Sequence, residues 1–351
     1  MTESLVREAF ARQSAACANL GSPFMARLMT VFAERLTPGD AISDAVLSWP
    51  HDPDASASSL PLRLAGALHE LKIDGEPDLI KAYPPNVVSD DSLWAAIISV
   101  FENRQTKILG GLGLPPQTNE VRRSAVLIPA LHMVARAFGR PIELFELGCS
   151  AGLNLRADHF AMRANDIRYG PTDAPVVLEP AWRGPAPLPD APVILRRAGV
   201  DLSPLDPSTD RTRLLSYIWP DQAERFHRTE AAATIAADVP AEIDSGDAGD
   251  WLTKVLAARP DGKLRFVYHT IAWQYFPPKT VAKAETALAM AGKMADEDAP
   301  LVRFSMETGG KAAELSLTVW PGGKTVSLGN CGFHGQWIEW KRVTLDPLGG
   351  D

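Results

Sequence analysis

Glu143-Leu-Phe-Glu146-Leu-Gly148-Cys149-Ser150-Ala-Gly152-Leu-Asn154 decides the fold class of this chain. Pro141, Ile142, Leu144, Phe145 and Leu147 make the short apolar run that a strand covered on both faces requires, while Leu153, Leu155 and Phe160 suit a helix after it. Between them, Gly148 and Gly152 let the backbone take positive φ and come close to a ligand. The first amides of the following helix are expected to be free to bind polar or anionic atoms. A strand, a tight turn and a helix in this order predict an open α/β sheet, with its chemistry at the turn.

Working outward, the texture on the two sides differs. Downstream, apolar β-type runs are separated by helical or loop stretches, and strands are expected at 142–147, 176–178, 193–196, 241–243, 264–269, 301–306, 315–320, 325–328 and 336–340. The last few lie too close together for crossover helices, so they should form an antiparallel end to a mostly parallel, doubly wound sheet. Upstream, roughly the first 110 residues have helical spacing. Pro23 suits the first turn of a helix, residues 50–59 form a polar loop, and Leu93, Trp94, Ile97, Ile98 and Phe101 line one helix face. The loop from Leu109 to Pro116 is expected to end this region, and Thr118 or Asn119 to cap a long helix running to about Ala137. The division is therefore residues 1–116, a helical region capping the substrate side, and residues 117–351, an α/β domain.

Composition narrows the function. Thirty-five Lys and Arg against 43 Asp and Glu give a net charge of −8, which argues against a general nucleic-acid partner but leaves room for a local basic groove. Cys17, Cys149 and Cys331 show no paired or metal-type spacing, so neither a disulfide framework nor a metal site is expected. No run reaches the length of a membrane span, and the expected location is cytoplasmic.

The decisive turn reads in two ways. As Gly148-x-Ser150-x-Gly152 it is a nucleophile elbow, with Ser150 attacking, Asp247 or Asp250 as acid and His269 or His334 as base. As Glu146-x-Gly148-x-Ser150-x-Gly152 it resembles the first motif of class I S-adenosylmethionine-dependent methyltransferases, with Ser150 in place of the middle glycine. Two later segments are similar to that family's other cofactor motifs. Asp201, in Arg197-Ala-Gly-Val-Asp201, stands where an acidic residue accepts from ribose hydroxyls; Asp247 and Ala248 stand where the adenine is held. The resemblance implies that Glu146, Gly148, Ser150, Gly152, Asn154, Asp201, Asp247 and Ala248 bind S-adenosylmethionine. The spacing between Gly152 and Asp201 implies an insertion over 156–192 that leaves the sheet.

His269, at the end of the fourth strand of that reading, is the candidate base, since an imidazole can take the proton from a nucleophile at neutral pH. Tyr217 is the second catalytic candidate. Gln117, Asn119 and Arg123 before the first strand, Trp219, and the aromatic residues Trp273 and Tyr275 are the candidates for holding a small methyl acceptor. Helix capping accounts equally for Asn119 and Asp247, and core packing for the aromatic residues.

As a whole the chain resembles the bacterial domain-of-unknown-function family 2332. Carrying this are Gln117-Thr-Asn119-Glu120 with Arg123, Glu146 to Asn154, Trp182-Arg183-Gly184, Arg213 to Gln222, Tyr268-His269-Thr270 with Trp273-Gln274-Tyr275, and Trp320-Pro-Gly-Gly. The resemblance implies a methyltransferase-like fold without naming a reaction. The function expected is methyl transfer from S-adenosylmethionine to a small molecule, with a non-catalytic binder of that cofactor as the alternative and a serine hydrolase as a third reading.

Overall fold

The computed structural model describes residues 2–345; Met1 and the last six residues of the 117–351 assignment lie outside the described residues. The chain divides into two compact units, one of residues 1–118 and 210–230, the other of residues 119–209 and 231–351. The segment 210–230, expected inside the α/β half, thus groups with the helical one.

The first unit holds α1 Glu3–Asn19, α2 Pro23–Arg35, α3 Ala41–Leu47, α4 Leu60–Ile73, α5 Pro77–Ala82, α6 Asp90–Asn103 and α7 Gln105–Leu112 around a shared apolar core that includes Phe10, Met29, Phe32, Leu68 and Ile97. Helix α7 occupies the first half of the expected Leu109–Pro116 loop. The reason lies in packing: a side chain on Gly111 would come 2.8 Å from the Ala67 methyl, so glycine here permits close approach of α7 to α4.

In the second unit α8 spans Ser124–Phe138. Then come β1 Ile142–Leu147, β2 Ala161–Ala164, β3 Ile167–Tyr169, β4 Val177–Leu178, β5 Ala181–Arg183 and β6 Ile194–Asp201. Helix α9, Arg211–Ser216, and the start of α10, Ala223–Asp238, belong to the first unit. The chain continues with β7 Glu242–Ser245, α11 Ala248–Val255, β8 Leu264–Thr270, α12 Pro278–Met294, β9 Leu301–Thr308, β10 Ala313–Trp320, β11 Lys324–Cys331 and β12 Trp337–Trp340. Nine strands form one sheet in the order β5-β12-β11-β10-β9-β8-β1-β6-β7. Strands β7, β6, β1, β8 and β9 run parallel, and β9 to β12 form the expected antiparallel end. Phe145, Leu147, Val200 and Val267 pack against Trp251, Leu252, Ala284 and Leu288 of α11 and α12, which covers one face of the parallel half.

Three expectations need correction. The helix after Gly152 is only a kinked 3-10 segment, Leu153–His159, because Asn154 is drawn to Ser124 and Arg156 to the carbonyls of Val239 and Ala236. The long helix begins at Ser124 rather than near 119, since the Asn119 carboxamide accepts from the Leu153 amide (2.8 Å) instead of capping its own helix. The 156–192 insertion does not stay away from the sheet. Strands β2, β3 and β4 make a separate three-stranded sheet, and β5 returns to pair with β12 at the main sheet's edge.

Candidate functional site

From β1 the chain moves outward to β6 and β7, then crosses to β8 on the other side of β1. A parallel sheet binds ligands outside the carboxyl ends of its strands at such a reversal. The backbone there is strained at two non-glycine residues: Ser150 after β1 (φ +53°) and Ile271 after β8 (φ +50°). A β-branched residue in this region is a true outlier, and conformations of this kind cluster at functional sites.

The turn is tightly built. Gly148 (φ +71°) could not carry a side chain, whose first carbon would lie 2.6 Å from the Ala272 methyl. Its amide and that of Cys149 donate to the Val200 carbonyl, Gly152 donates to Cys149, and Leu153 donates to Asn119. The Ser150 N–H donates to Asp201 Oδ2 (2.9 Å), while Oδ1 accepts from Ser203 (3.0 Å). The amides of Gly148, Cys149, Ser150, Gly152 and Leu153 are therefore used inside the protein.

Beneath it lies a polar cluster. Glu146 is 2% exposed and pairs in register with Tyr268 of β8. Burial pushes its carboxyl up to about 8, against the opposing pull of the Tyr268 hydroxyl and Arg156. Neither Glu146 Oε2 nor the Tyr268 hydroxyl completes a well-formed hydrogen bond among the described residues, although they are near enough to influence each other. Arg156, also buried, spends its guanidinium on the carbonyls of Gly152, Ala236 and Val239.

On the β8 side, His269 is fully buried and bonded at both nitrogens. Arg303 Nε–H donates to Nε2 (3.1 Å), which makes that nitrogen the acceptor, so Nδ1 carries the proton and donates to Glu307 Oε1 (2.7 Å). Burial lowers the imidazole pKa despite Glu307. Burial alone would raise Glu307, but His269 and the amides of Ala272 and Trp273 (both 3.1 Å) more than offset it and hold the carboxyl below its usual range. Trp273 stacks on His269 at 4.7 Å, and the Arg303 guanidinium lies 4.1 Å from its ring centre. Glu307, Arg303, Arg156 and the strained Ile271 were not singled out in the sequence. An acidic residue at the end of a predicted strand was the one available signal for Glu307.

The sequence model of a family described as an uncharacterized protein conserved in bacteria (DUF2332) matches residues 7–340. The chain belongs to DUF2332. No curated protein and no solved structure matches it.

Of the candidate residues of this DUF2332 chain, Glu146, Gly148, Ser150, Gly152, Asn154 and Asp201 gather at the turn. Asn154 is buried and braces it, accepting from Ser124 Oγ (2.7 Å). Arg123 donates to the carbonyls of Thr270 (3.0 Å) and Phe333 (3.1 Å), tying the start of α8 to the end of β8. Asp247 caps α11 through the Asp250 amide (3.0 Å) and also accepts from Thr280, with Ala248 buried beside it. These partners, with Lys283, hold its carboxyl below the usual range in spite of burial. Tyr275 is 74% exposed. Gln117, Tyr217 and Trp219 belong to the helical unit, where a side chain on Gly66 would meet the Tyr217 ring and Trp219 packs on the core. Burial raises the Tyr217 hydroxyl pKa against the pull of Arg213. Among the described residues no group of three or more His, Cys, Asp or Glu is placed to hold a metal ion, and no helix is long and apolar enough to cross a membrane.

Proposed function

We propose that this DUF2332 protein binds S-adenosylmethionine at the Gly148–Gly152 turn and directs its methyl group to a small-molecule nucleophile. The observation that carries the reading is the joining of the turn to Asp201, through the Ser150 amide, at the reversal point of the sheet. Numbered from its first strand, the parallel half has the order 3-2-1-4-5 of a doubly wound nucleotide-binding sheet, and its antiparallel end agrees with the class I methyltransferase resemblance.

The residues suit such a cofactor at the turn and at Asp201. With the amides of Gly148, Cys149, Ser150, Gly152 and Leu153 already engaged, a phosphate would find few donors here. Each Asp201 oxygen accepts an amide, and a carboxylate oxygen has a second lone pair with which to meet a hydroxyl donor such as a ribose. At Asp247 each oxygen likewise accepts one hydrogen bond, from the Asp250 amide and from Thr280, and Ala248 and Trp251 stand buried beside it.

The bound cofactor would supply an activated methyl group. The protein's part is alignment and exclusion of water, since His269 has no nitrogen left to take a proton. That same commitment favours the second reading, a binder without transfer. It also removes His269 as the base of a serine hydrolase, whose candidate acids Asp247 and Asp250 are held by Thr280 and Lys283. The test is titration calorimetry of folded, ligand-free protein with S-adenosylmethionine and S-adenosylhomocysteine. Micromolar binding of both at one site, weakened at least tenfold by Asp201→Ala, is expected. Absence of binding to either compound would overturn both readings, and unchanged affinity in the variant would overturn the assignment to this turn.

A further inference from the structure

Away from the turn, a groove of about 430 Å³ opens on the second unit, between the last turn of α8, the loop before β6 and the segment after β12. That volume is within the range of small-molecule sites. Its charge is one-sided. Arg136, Lys341 and Arg342 line it, and no Asp or Glu is among the described residues that do so. Lys341 donates to Ser327 Oγ (2.8 Å). Neither Arg136 nor Arg342 has an ion pair among the described residues, whereas arginines elsewhere are widely paired, including Arg7, Arg27, Arg35, Arg196, Arg259 and Arg303. In a chain of net charge −8, a cavity whose described lining holds three cations and no acid is a local reversal of sign. The remaining wall is apolar, with Met133 and Trp340 among its residues and Leu188 left 57% exposed.

We infer that this groove binds a small organic anion, a carboxylate or phosphate joined to an aliphatic or aromatic body. Guanidinium groups present a planar fork of donors that matches both oxyanions in two-point contact, and the apolar wall takes up the rest of the ligand. The site is separate from the proposed cofactor turn, none of whose residues line it.

The test uses the full chain and the fluorescent aryl anion anilinonaphthalene sulfonate, displaced in turn by decanoate, octyl phosphate, decanol and inorganic phosphate. Displacement by decanoate or octyl phosphate, but not by decanol, is expected. The double variant Arg136→Gln/Arg342→Gln, altered only at exposed side chains, should bind the probe at least tenfold more weakly with an unchanged unfolding midpoint. A preference between decanoate and octyl phosphate identifies the oxyanion, and displacement by inorganic phosphate alone would overturn the need for an apolar body. Equal competition by decanol, or equal probe affinity in the double variant, would overturn the proposal. So would displacement of the probe by S-adenosylhomocysteine, which would assign it to the turn instead.

Discussion

Burial of Glu146 within β1, beside Tyr268 of β8, raises its carboxyl pKa to about 8, which favours the protonated form at neutral pH. This makes a neutral hydrogen-bonding group of what sequence alone reads as an anion. Stability should depend on it in a definite direction. Unfolded, the group ionises near its ordinary value of 4.5, whereas folded it holds the proton to about 8. Between those values the folded state binds the extra proton, so stability falls as pH rises; below the lower value both states are protonated and the loss disappears. At about 1.36 kcal/mol for each pH unit between the two values, the loss is on the order of a few kcal/mol. Glu146→Gln should remove most of it. Urea unfolding at pH 5 and pH 8 would read this as a variant that gains on the parent protein as pH rises; parallel behaviour of the two would mean that the carboxyl ionises in the folded state. Gly148 and Asp201 are legible in the sequence because a positive-φ turn and a strand-end acid are local requirements. The Ser150–Asp201 bond is not, since its two halves are 51 residues apart.

Among the elements, the segment after β8 is held at a single point. Glu307 Oε1 accepts from His269 Nδ1 and from the amides of Ala272 and Trp273, fixing a backbone that carries Ile271 at positive φ. Glu307→Ala would leave three donors without their acceptor, the fully buried His269 ring among them, and a loss on the order of 3 kcal/mol is expected. Glu307→Gln keeps an accepting oxygen and should lose less than half as much. Hydrogen exchange at the Ala272 and Trp273 amides should quicken in the alanine variant; continued protection, or equal losses in the two variants, would show that the clamp is not what holds the segment. Strands β1, β8, β9 and β10 could be read from their apolar runs, and the helices around Phe32 and Ile97 from their spacing. Short pieces such as Ala161–Ala164 and Ala181–Arg183 could not, because three or four residues give no period, and the second of them pairs with a strand more than 150 residues away. Asn119 shows the same limit: its preference for a helix start is local, but the amide it satisfies belongs to Leu153.

For the whole molecule, neither unit is one continuous run of chain. Within the helical unit, Asp221 receives Ser22 Oγ (2.5 Å) and the Phe24 amide (2.9 Å) at the start of α2, and His69 Nδ1 meets the Ser216 carbonyl (3.1 Å). The sheet has a longer interruption, since its edge strand β5 pairs with β12, and Arg183 meets Glu339 156 residues later. During synthesis from the amino end, this order imposes a wait. At about 5–20 residues per second, β5 leaves the ribosome roughly 8–30 s before its partner exists. Throughout that interval its backbone donors and acceptors are open to other chains, a hazard that unpaired strand edges carry. Pulse proteolysis of nascent chains arrested between residues 200 and 330 should therefore cut at Ala181–Arg183, with resistance arising only once residues 337–340 have emerged; earlier resistance would mean that another segment shields the strand. The time the polypeptide spends incomplete, more than the strength of its finished core, would then limit how much of it reaches the native state when translation slows.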